Sequence, residues 1–193
     1  MQRSKAQLRA AILRARSGVT KHQHDTESLA LARHLPALAT GAATVCAYVP
    51  VGSEPGSLEL IDNLHDRGVR VLLPVARRDA AGTPQPLQWG EYRTGELVAA
   101  PHGLREPPEP WLAAEAIVGA SLILVPALAV DRTGIRLGRG AGFYDRSLPL
   151  ADAAASLIAV VRDDELVDHL PAEPHDVPMT HALTPRDGLV EFG

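Results

Sequence analysis

The chain lacks several features that define whole classes of protein. It contains one cysteine, Cys46, so neither an intramolecular disulfide nor a cysteine-based zinc site can form. Because Cys46 lies inside the apolar run 45–49, we predict that it is buried as a small apolar filler. Aromatic residues make up 4% of the chain, whereas Ala, Leu and Val are abundant. We therefore expect an aliphatic core.

An excess of positive charge is also missing. The chain has 19 Lys and Arg against 23 Asp and Glu, a formal net charge of −4, which argues against a nucleic-acid partner. No stretch approaches the roughly 18 apolar residues of a membrane span. Residues 1–18 carry charges throughout and have no apolar segment typical of a signal peptide. We therefore predict a cytoplasmic protein without nucleic-acid or membrane partners.

The length of 193 residues and the lack of a linker that would split the chain indicate one α/β domain over residues 1–193, which we expect to be a monomer. A strand, a helix and a strand within about 30 residues form a βαβ unit, so these strands should be parallel neighbours. Ligands bind at the carboxyl ends of such strands. The predicted strands are 44–49, 69–73, 87–89, 122–125, 156–161 and 181–183, and the predicted helices are 4–16, 25–34, 58–67, 111–116 and 163–169.

The stretch 131–148, DRTGIRLGRGAGFYDRSL, is the most informative part of the chain. Its glycines allow positive φ and close approach to a ligand, and exposed N–H groups with arginines can hold phosphate oxygens. A short helix beginning at 143 would add its positive end, and a carboxylate beside the phosphate suits Mg²⁺. The spacing fits neither the dinucleotide fingerprint nor a Walker A loop. We predict a phosphate site, with a flexible surface turn as the alternative.

The stretch 122–148, LILVPALAVDRTGIRLGRGAGFYDRSL, resembles the central motif of the 5-formyltetrahydrofolate cyclo-ligase family. That motif has the form D-x-x-G-x-R-L-G-x-G-x-G-Y-Y-D after a strand ending in Pro-Gly. Ala127 replaces the glycine after Pro126, and Phe143 replaces the first tyrosine. Neither change removes a charge or a loop glycine. The resemblance implies a three-layer, open, mostly parallel sheet with helices on both faces, similar to the sugar-phosphate isomerase and CoA-transferase folds.

The resemblance also implies the site. Catalytic roles fall on Arg136, Arg139 and Tyr144, and the metal ligands are Asp145 and Asp176. Folate would contact Val49, Glu54, Arg139, Gly140, Phe143 and Tyr144. ATP would contact Lys5, Arg9, Arg136, Leu137, Gly138, Arg139, Gly140, Ala141, Gly142, Phe143 and Tyr144.

The implied activity is the ATP- and Mg²⁺-dependent closure of 5-formyltetrahydrofolate to 5,10-methenyltetrahydrofolate, with release of ADP and phosphate. Phosphorylation of the formyl oxygen would make it a leaving group. Such chemistry needs charge neutralisation and positioning more than a nucleophile. Two alternatives stay open: a relative of the sugar-phosphate isomerases and CoA-transferases, and a non-catalytic folate- or nucleotide-binding protein.

Several residues allow a structural interpretation beside the functional one. Lys5 and Arg9 share a helix face and could simply be solvated. Glu54 could be a solvated loop carboxylate, and the pair His175-Asp176 could be only a turn. The remaining interpretations are structural. We expect His22 and His24 in a flexible polar loop rather than as a metal pair, and Arg14 and Arg16 as solvent-facing or interface charges. Asp131 is a ligand or a turn residue, and Trp89 lies in the pocket or the core. Where the family has glutamine, Glu165 implies a changed hydrogen-bond role.

Overall fold

The computed structural model describes residues 4–193, except for the side chain of His102. Its four α-helices are α1 (Lys5–Ser17), α2 (Lys21–Leu38), α3 (Leu58–Asp66) and α4 (Phe143–Ser147). Its strands are β1 (Thr44–Cys46), β2 (Arg70–Val75), β3 (Gln88–Glu91), β4 (Val98–Ala99), β5 (Arg105–Glu106), β6 (Leu122–Pro126), β7 (Ala129–Asp131), β8 (Arg136–Leu137), β9 (Ser156–Val160), β10 (Leu166–Val167), β11 (His181–Thr184) and β12 (Gly188–Glu191).

The central sheet has seven strands in the order β12-β11-β9-β6-β1-β2-β3. Its five inner strands are parallel, and β3 and β12 pair antiparallel at the two edges. The predicted mixed α/β fold with a mostly parallel sheet is therefore confirmed. In a smaller sheet of β10, β7 and β8, the hairpin of β7 and β8 contains the first residues of the motif segment.

Alternate side chains along the inner strands pack into two apolar cores, one on each face of the sheet. Val45 and Leu122 pack with α2 and α3 on one face, whereas their neighbours Cys46 and Ile123 pack on the opposite face. This alternation is the period of two that a strand imposes. Cys46 is completely buried, as predicted, and burial raises the pKa of its thiol to about 12.

The helix α1 begins where its sequence predicts. Ser4 and Gln7 cap each other reciprocally, with the Ser4 hydroxyl accepting from the Gln7 N–H at 3.3 Å. Leu8 and Ile12 pack against a third core at β7, β8 and residue Leu170. The helix α1 therefore packs along the small sheet. Residues 138–142, the glycine segment, follow directly after β8 of that sheet.

The second helix is longer than predicted at both ends. It begins after Thr20, whose hydroxyl accepts from the Gln23 N–H at 3.2 Å, and Pro36 lies within its last turn. The prediction of a flexible loop at His22 and His24 was therefore wrong, because the cap at Thr20 extends the helix through both. His24 Nε2 lies 3.1 Å from the Glu54 carbonyl oxygen.

Other element predictions failed where the chain makes short local turns. The predicted helix 163–169 is a 3₁₀ turn over 163–165 followed by β10, and the predicted helix 111–116 is a 3₁₀ turn over 114–119. The prediction missed β12 and the β7–β8 hairpin. Trp89 is completely buried in the core, so the core interpretation was right. No helix in the described part of the chain is long and apolar enough to cross a membrane.

Candidate active site

A cavity of about 820 Å³ opens at the carboxyl ends of the inner strands. The segments that follow β1, β2 and β6 form its walls, as the parallel topology predicts. The glycine segment after β8 closes one side, and residues 100–106 close another. The polar and glycine residues of its lining are Arg16, Tyr48, Glu54, Arg77, Arg78, Arg105, Glu106, Arg136, Gly138, Arg139, Gly140, Gly142, Tyr144 and Asp145.

The turn between β7 and β8 is built on Asp131. Its completely buried carboxylate accepts hydrogen bonds from the Thr133 N–H and hydroxyl, the Ile135 N–H and the Leu170 N–H, at 2.7–3.0 Å. Gly134 occupies this turn at φ +86°, where a Cβ would lie 2.3 Å from the Met179 carbonyl oxygen. Asp131 therefore holds a turn, and its oxygens are engaged by the chain itself.

The glycine segment needs its glycines for two different reasons. Gly140 and Gly142 have φ of +93° and +79°, a region that side-chain-bearing residues rarely adopt. At Gly138 a Cβ would lie 2.8 Å from Arg136 Nη1, so glycine leaves room for that guanidinium. Gly142 is also the residue before α4, whose first turn contains Asp145. The backbone there is shaped to approach a ligand closely.

Arginine side chains connect the glycine segment to the rest of the cavity by hydrogen bonds. Arg139 Nε donates to Glu54 Oε1 at 2.9 Å, joining the glycine segment to the loop after β1. Arg136 donates to the Asp145 carboxylate. Arg9, on α1, donates from Nε to the Gly138 carbonyl oxygen at 2.9 Å. The structure thus brings Glu54, which sequence alone left as a possible solvated carboxylate, into contact with the motif.

Three donors of lining residues have no hydrogen-bond partner in the described structure: the Tyr144 hydroxyl, Arg136 Nε and Arg16 Nη1, all buried. The Arg136 guanidinium lies 5.8 Å from the centre of the Tyr144 ring. Burial, with the charge of Glu54 adding to it, raises the pKa of Tyr144 far above its usual value. Tyr144 therefore keeps its proton and remains a hydrogen-bond donor at all physiological pH values.

The predicted metal ligands lie in different surroundings. Asp145 lines the cavity, whereas Asp176 lies outside its lining, where Lys5 Nζ approaches Asp176 at 2.9 Å and Glu173 at 2.8 Å. Ligand atoms of Glu173, His175 and Asp176 lie within 4.8 Å of one another. Burial opposes ionisation of Asp176, but hydrogen bonds from Lys5 and the Glu173 N–H outweigh it and keep its pKa below the usual value.

Most of the predicted site residues meet at the cavity. Those in its lining are Val49, Glu54, Arg136, Gly138, Arg139, Gly140, Ala141, Gly142, Phe143, Tyr144 and Asp145. Four lie outside the lining. Arg9 contacts the glycine segment from behind, Leu137 is buried in the α1 core, and Lys5 and Asp176 pair with each other.

Sequence reasoning missed one wall of the cavity. Arg77 makes two bonds to the Glu106 carboxylate, at 2.6 and 3.0 Å, and its guanidinium lies 4.1 Å from the centre of a Trp111 ring. The signal was the pair Arg77-Arg78 directly after β2, at the same edge of the sheet as the glycine segment. The partner carboxylate, 29 residues away, carries no local signal.

Arg16 was predicted to be a solvent-facing or an interface charge, but the structure buries it within the chain. Its side chain is buried and donates to both Glu165 oxygens, at 2.6 and 2.7 Å, and to the Ala127 carbonyl oxygen at 2.7 Å. Glu165 also accepts from the Arg162 N–H at 2.8 Å. The ion pair therefore fastens the end of α1 to the cavity wall behind β6, and this is the role of the glutamate that replaces the family's glutamine.

Comparison with known proteins gives a consistent result. The family model described as the 5-formyltetrahydrofolate cyclo-ligase family matches residues 1–185. A 5-formyltetrahydrofolate cyclo-ligase of Mycolicibacterium smegmatis is 65% identical over 188 residues, covering 97% of each chain. A protein of the same name from Escherichia coli K12 is 31% identical over 143 residues, covering 74% of this chain and 78% of the relative.

Solved structures agree at the level of the fold. A 5,10-methenyltetrahydrofolate synthetase of Aquifex aeolicus superposes with a TM-score of 0.80 at 22% identity, covering 97% of this chain and 92% of the other. Another from Mycoplasma pneumoniae gives a TM-score of 0.70 at 20% identity, covering 92% and 96%. The match over nearly the whole chain confirms the family that the motif indicated. The chain belongs to the 5-formyltetrahydrofolate cyclo-ligase family.

Proposed function

We propose that this protein closes 5-formyltetrahydrofolate to 5,10-methenyltetrahydrofolate, converting ATP to ADP and phosphate. The observation that carries the proposal is the meeting, at one cavity, of the glycine segment 138–142 with Arg136, Arg139, Tyr144 and the Glu54 loop. Family membership supplies the reaction. The cavity supplies the groups that such a reaction needs.

We assign the phosphates of ATP to the glycine segment. Positive φ at Gly140 and Gly142 exposes backbone N–H groups, which bind phosphate oxygens well in such loops. Arg136, Arg139 and Arg9 lie around the segment and supply positive charge. Lys5 lies one helical turn before Arg9 on α1, on the same face of the helix. Its charge would extend the positive surface toward the same phosphates.

A divalent cation fits the donor chemistry of the two aspartates. Mg²⁺ prefers oxygen ligands and is bound through one or two carboxylates together with phosphates. Asp145 presents its carboxylate at the glycine segment, and Asp176 lies beside Glu173 and His175. We propose that Asp145 and Asp176 hold Mg²⁺, directly or through water. When bound, the cation supplies charge neutralisation at the phosphates.

The folate is assigned to the wall formed by Val49, Glu54, Phe143 and Tyr144. Glu54 is held in place twice, by Arg139 and by the Val51 N–H at 3.0 Å, so its carboxylate is fixed before a ligand arrives. Tyr144 remains protonated because its hydroxyl is buried. A fixed acceptor and a donor on one wall suit a pterin ring, which presents both kinds of group.

The reaction then proceeds in two steps. The formyl oxygen attacks the γ-phosphorus, and the bond to ADP breaks with its electrons going to ADP. The neighbouring folate nitrogen next attacks the formyl carbon and loses its proton, and phosphate departs with the electrons of the carbon–oxygen bond. Arg136 and Arg139 would stabilise the charge on the transferring group, and the cavity walls would limit the access of water to the phosphorylated intermediate.

The first experiment follows the near-ultraviolet absorbance of the methenyl product with purified protein, 5-formyltetrahydrofolate, ATP and Mg²⁺. We expect a rise that requires all three. A folded protein that binds ATP without forming product would instead favour the non-catalytic binding protein. Neither product nor ATP binding would favour a phosphate-sugar isomerase or CoA-transferase relative.

The variant Asp145→Ala tests the site itself. We expect loss of turnover by at least about 100-fold, because a charged group at the transferring phosphate contributes on the order of 3 kcal/mol. Circular dichroism and thermal melting check that the variant is folded. Asp168→Ala is the matched control, since Asp168 is exposed and pairs only with Arg132. A folded, fully active Asp145→Ala would rule out the metal assignment.

Three finer features belong to the same proposal. We propose a three-layer arrangement akin to the sugar-phosphate isomerase and CoA-transferase folds, because α2 and α3 cover one face of the sheet and the 3₁₀ turns cover the other. We also propose that the enzyme acts as a monomer in the cytoplasm. The cavity is lined by residues of a single chain, which supports the monomer.

A further inference from the structure

The loop that carries Glu54 is held by its backbone carbonyl oxygens. Each of the four consecutive carbonyl groups of residues 53–56 accepts a hydrogen bond from a side chain outside the loop. The donors are Arg162 Nη1 to the Ser53 oxygen at 2.9 Å, His24 Nε2 to the Glu54 oxygen at 3.1 Å, the Tyr48 hydroxyl to the Pro55 oxygen at 2.9 Å and the Ser28 hydroxyl to the Gly56 oxygen at 3.0 Å. We call these four donor side chains the carbonyl cradle.

The carbonyl cradle is assembled from three parts of the chain. His24 and Ser28 lie four residues apart on one face of α2. Tyr48 lies two residues after β1, and Arg162 lies two residues after β9. The loop therefore rests on a helix and on the ends of two strands of the central sheet, which come together only in the folded chain.

The chemistry of each cradle member fixes it as a donor. A carbonyl oxygen only accepts, so His24 Nε2 carries the hydrogen in its contact with Glu54. Burial raises the pKa of Tyr48 well above its usual value, so its hydroxyl keeps the proton that it donates. Tyr48, Ser28 and Arg162 are buried, and His24 is partly exposed beside them. Most of the cradle is therefore shielded from water.

The same loop places the Glu54 carboxylate at the cavity. Glu54 Oε2 accepts from the Val51 N–H at 3.0 Å, and Oε1 accepts from Arg139 Nε at 2.9 Å. Glu54 is thus held at the tip of its side chain and, through His24, at its backbone. A carboxylate that is fixed before the ligand arrives loses less conformational entropy on binding. The stiffness of residues 53–56 therefore contributes to ligand affinity.

We propose that the carbonyl cradle is a set of positioning residues, which hold the Glu54 carboxylate in the geometry that binds the folate ring. The inference rests on the proposed function, in which Glu54 contacts the folate. The four cradle bonds end on backbone oxygens, so the cradle acts through the loop and not on the carboxylate itself. It gives a role in substrate binding to His24 and Ser28, which lie on a helix outside the cavity lining.

The test removes the donors of α2 in the full-length protein. The variants are His24→Ala, Ser28→Ala and the double variant, and His24→Gln restores a side-chain N–H at its position. Arg162 is left unchanged, because it also donates to Glu27. Thr26→Val is the matched control. It removes a hydroxyl from the same helix, but one that donates within the helix, to the carbonyl oxygen of residue 22.

Four measurements separate positioning from stability. Calorimetry gives the Kd of 5-formyltetrahydrofolate in the absence of ATP, and steady-state kinetics give the KM for the folate and the KM for ATP. Hydrogen exchange of the Val51 amide, followed by NMR, reports on the fixed carboxylate, because this N–H donates to Glu54. Urea unfolding gives the global stability of each variant.

We expect His24→Ala and Ser28→Ala each to raise the Kd and the KM for the folate about three- to fivefold and the double variant at least about tenfold, since a lost neutral hydrogen bond corresponds to about 1 kcal/mol. Exchange of the Val51 amide should accelerate in the same order. The KM for ATP should change less than about twofold, because the phosphates are assigned to the glycine segment. In His24→Gln and Thr26→Val the folate Kd should stay within about twofold of the wild type.

Three results would overturn the inference. They are an unchanged folate Kd in the double variant, whatever its urea midpoint, an equal rise in the KM for ATP, and a His24→Gln that binds folate as weakly as His24→Ala. Because His24 is partly exposed on its helix, its two variants decide the matter even where Ser28→Ala is unstable. Failure of the proposed function would look different. The wild type would then bind no 5-formyltetrahydrofolate and form no methenyl product, whereas exchange of the Val51 amide would still respond to the cradle.

Discussion

The buried ion pair between Arg16 and Glu165 gives the sharpest prediction about stability. The two side chains are 1% and 6% exposed and are joined by two hydrogen bonds. Replacing Arg16 by Met leaves the buried Glu165 carboxylate with only Arg162 Nη1, 3.9 Å away, as counter-charge. Removing one partner of a buried pair costs about 3–5 kcal/mol. The Ala127 carbonyl oxygen also loses a donor. We expect a loss of about 4 kcal/mol, a large part of a typical stability of about 5–15 kcal/mol.

The double variant Arg16→Met, Glu165→Met separates the charge from the packing. Replacing both partners by apolar side chains of similar volume removes the unpaired charge. The Arg162 N–H still loses the Glu165 acceptor, which costs about 1–3 kcal/mol. We therefore expect the double variant to be more stable than Arg16→Met. The free energies of unfolding of the wild type, the two single variants and the double variant form a double-mutant cycle, which gives the coupling energy between Arg16 and Glu165 directly.

The measurement is equilibrium unfolding in urea. With a slope of about 2 kcal/mol per M, a loss of about 4 kcal/mol lowers the midpoint by about 2 M. Arg14→Met is the matched control, because Arg14 lies on the same helix and is exposed, so its stability should stay within about 0.5 kcal/mol of wild type. A loss below about 1 kcal/mol in Arg16→Met would refute the reasoning.

Two further predictions concern other parts of the site. Gly134→Ala should lower the free energy of unfolding in urea by at least about 3 kcal/mol, because a Cβ there meets the Met179 backbone and the residue also has a positive φ. Gly95→Ala is the control, since Gly95 has a similar φ but open space around it, and it should lose only about 1 kcal/mol. Equal losses in the two variants would contradict this prediction. The pKa of Asp176 is held below 3.8 by Lys5, so its stabilising contribution is present above pH 4 and is lost as pH falls through the lowered value. Asp176→Asn should therefore flatten the acid side of the stability profile below pH 4 while leaving the slope above pH 5 unchanged, and an unchanged acid limb would show that the ion pair contributes little.

Much of the fold could be predicted because its signals are local. The cap at Ser4 and the apolar runs at 44–46 and 122–126 are each readable within a few residues of sequence. The βαβ spacing then required parallel neighbours. The failures came where local preference was weak. The stretch 163–169 has the composition of a helix, yet Glu165 bonds back to Arg162 and the chain turns into β10 instead.

In the candidate site, too, the residues with a local sequence signal were predicted and those without one were missed. The glycine segment was recognisable because positive φ and close packing restrict residue choice over a short window, and Gly138, Gly140 and Gly142 line the cavity as predicted. The Arg77 wall was missed, because Arg77 meets Glu106 only after β2 and the β4–β5 hairpin are brought together. Pairings at such separations leave no periodic pattern in the sequence.

The sequence by itself determined the family, the parallel pairing of β1 and β2 in a βαβ unit and the glycine segment that lines the cavity, because each depends on residue types within a few positions of one another. Only the tertiary structure decided that Arg16 is buried and Arg14 exposed, that Asp131 holds a turn, and that Arg77 pairs with Glu106 at the cavity. The physical reason is that burial and charge pairing are properties of distant segments in contact, and contact is fixed by the packing of the whole chain.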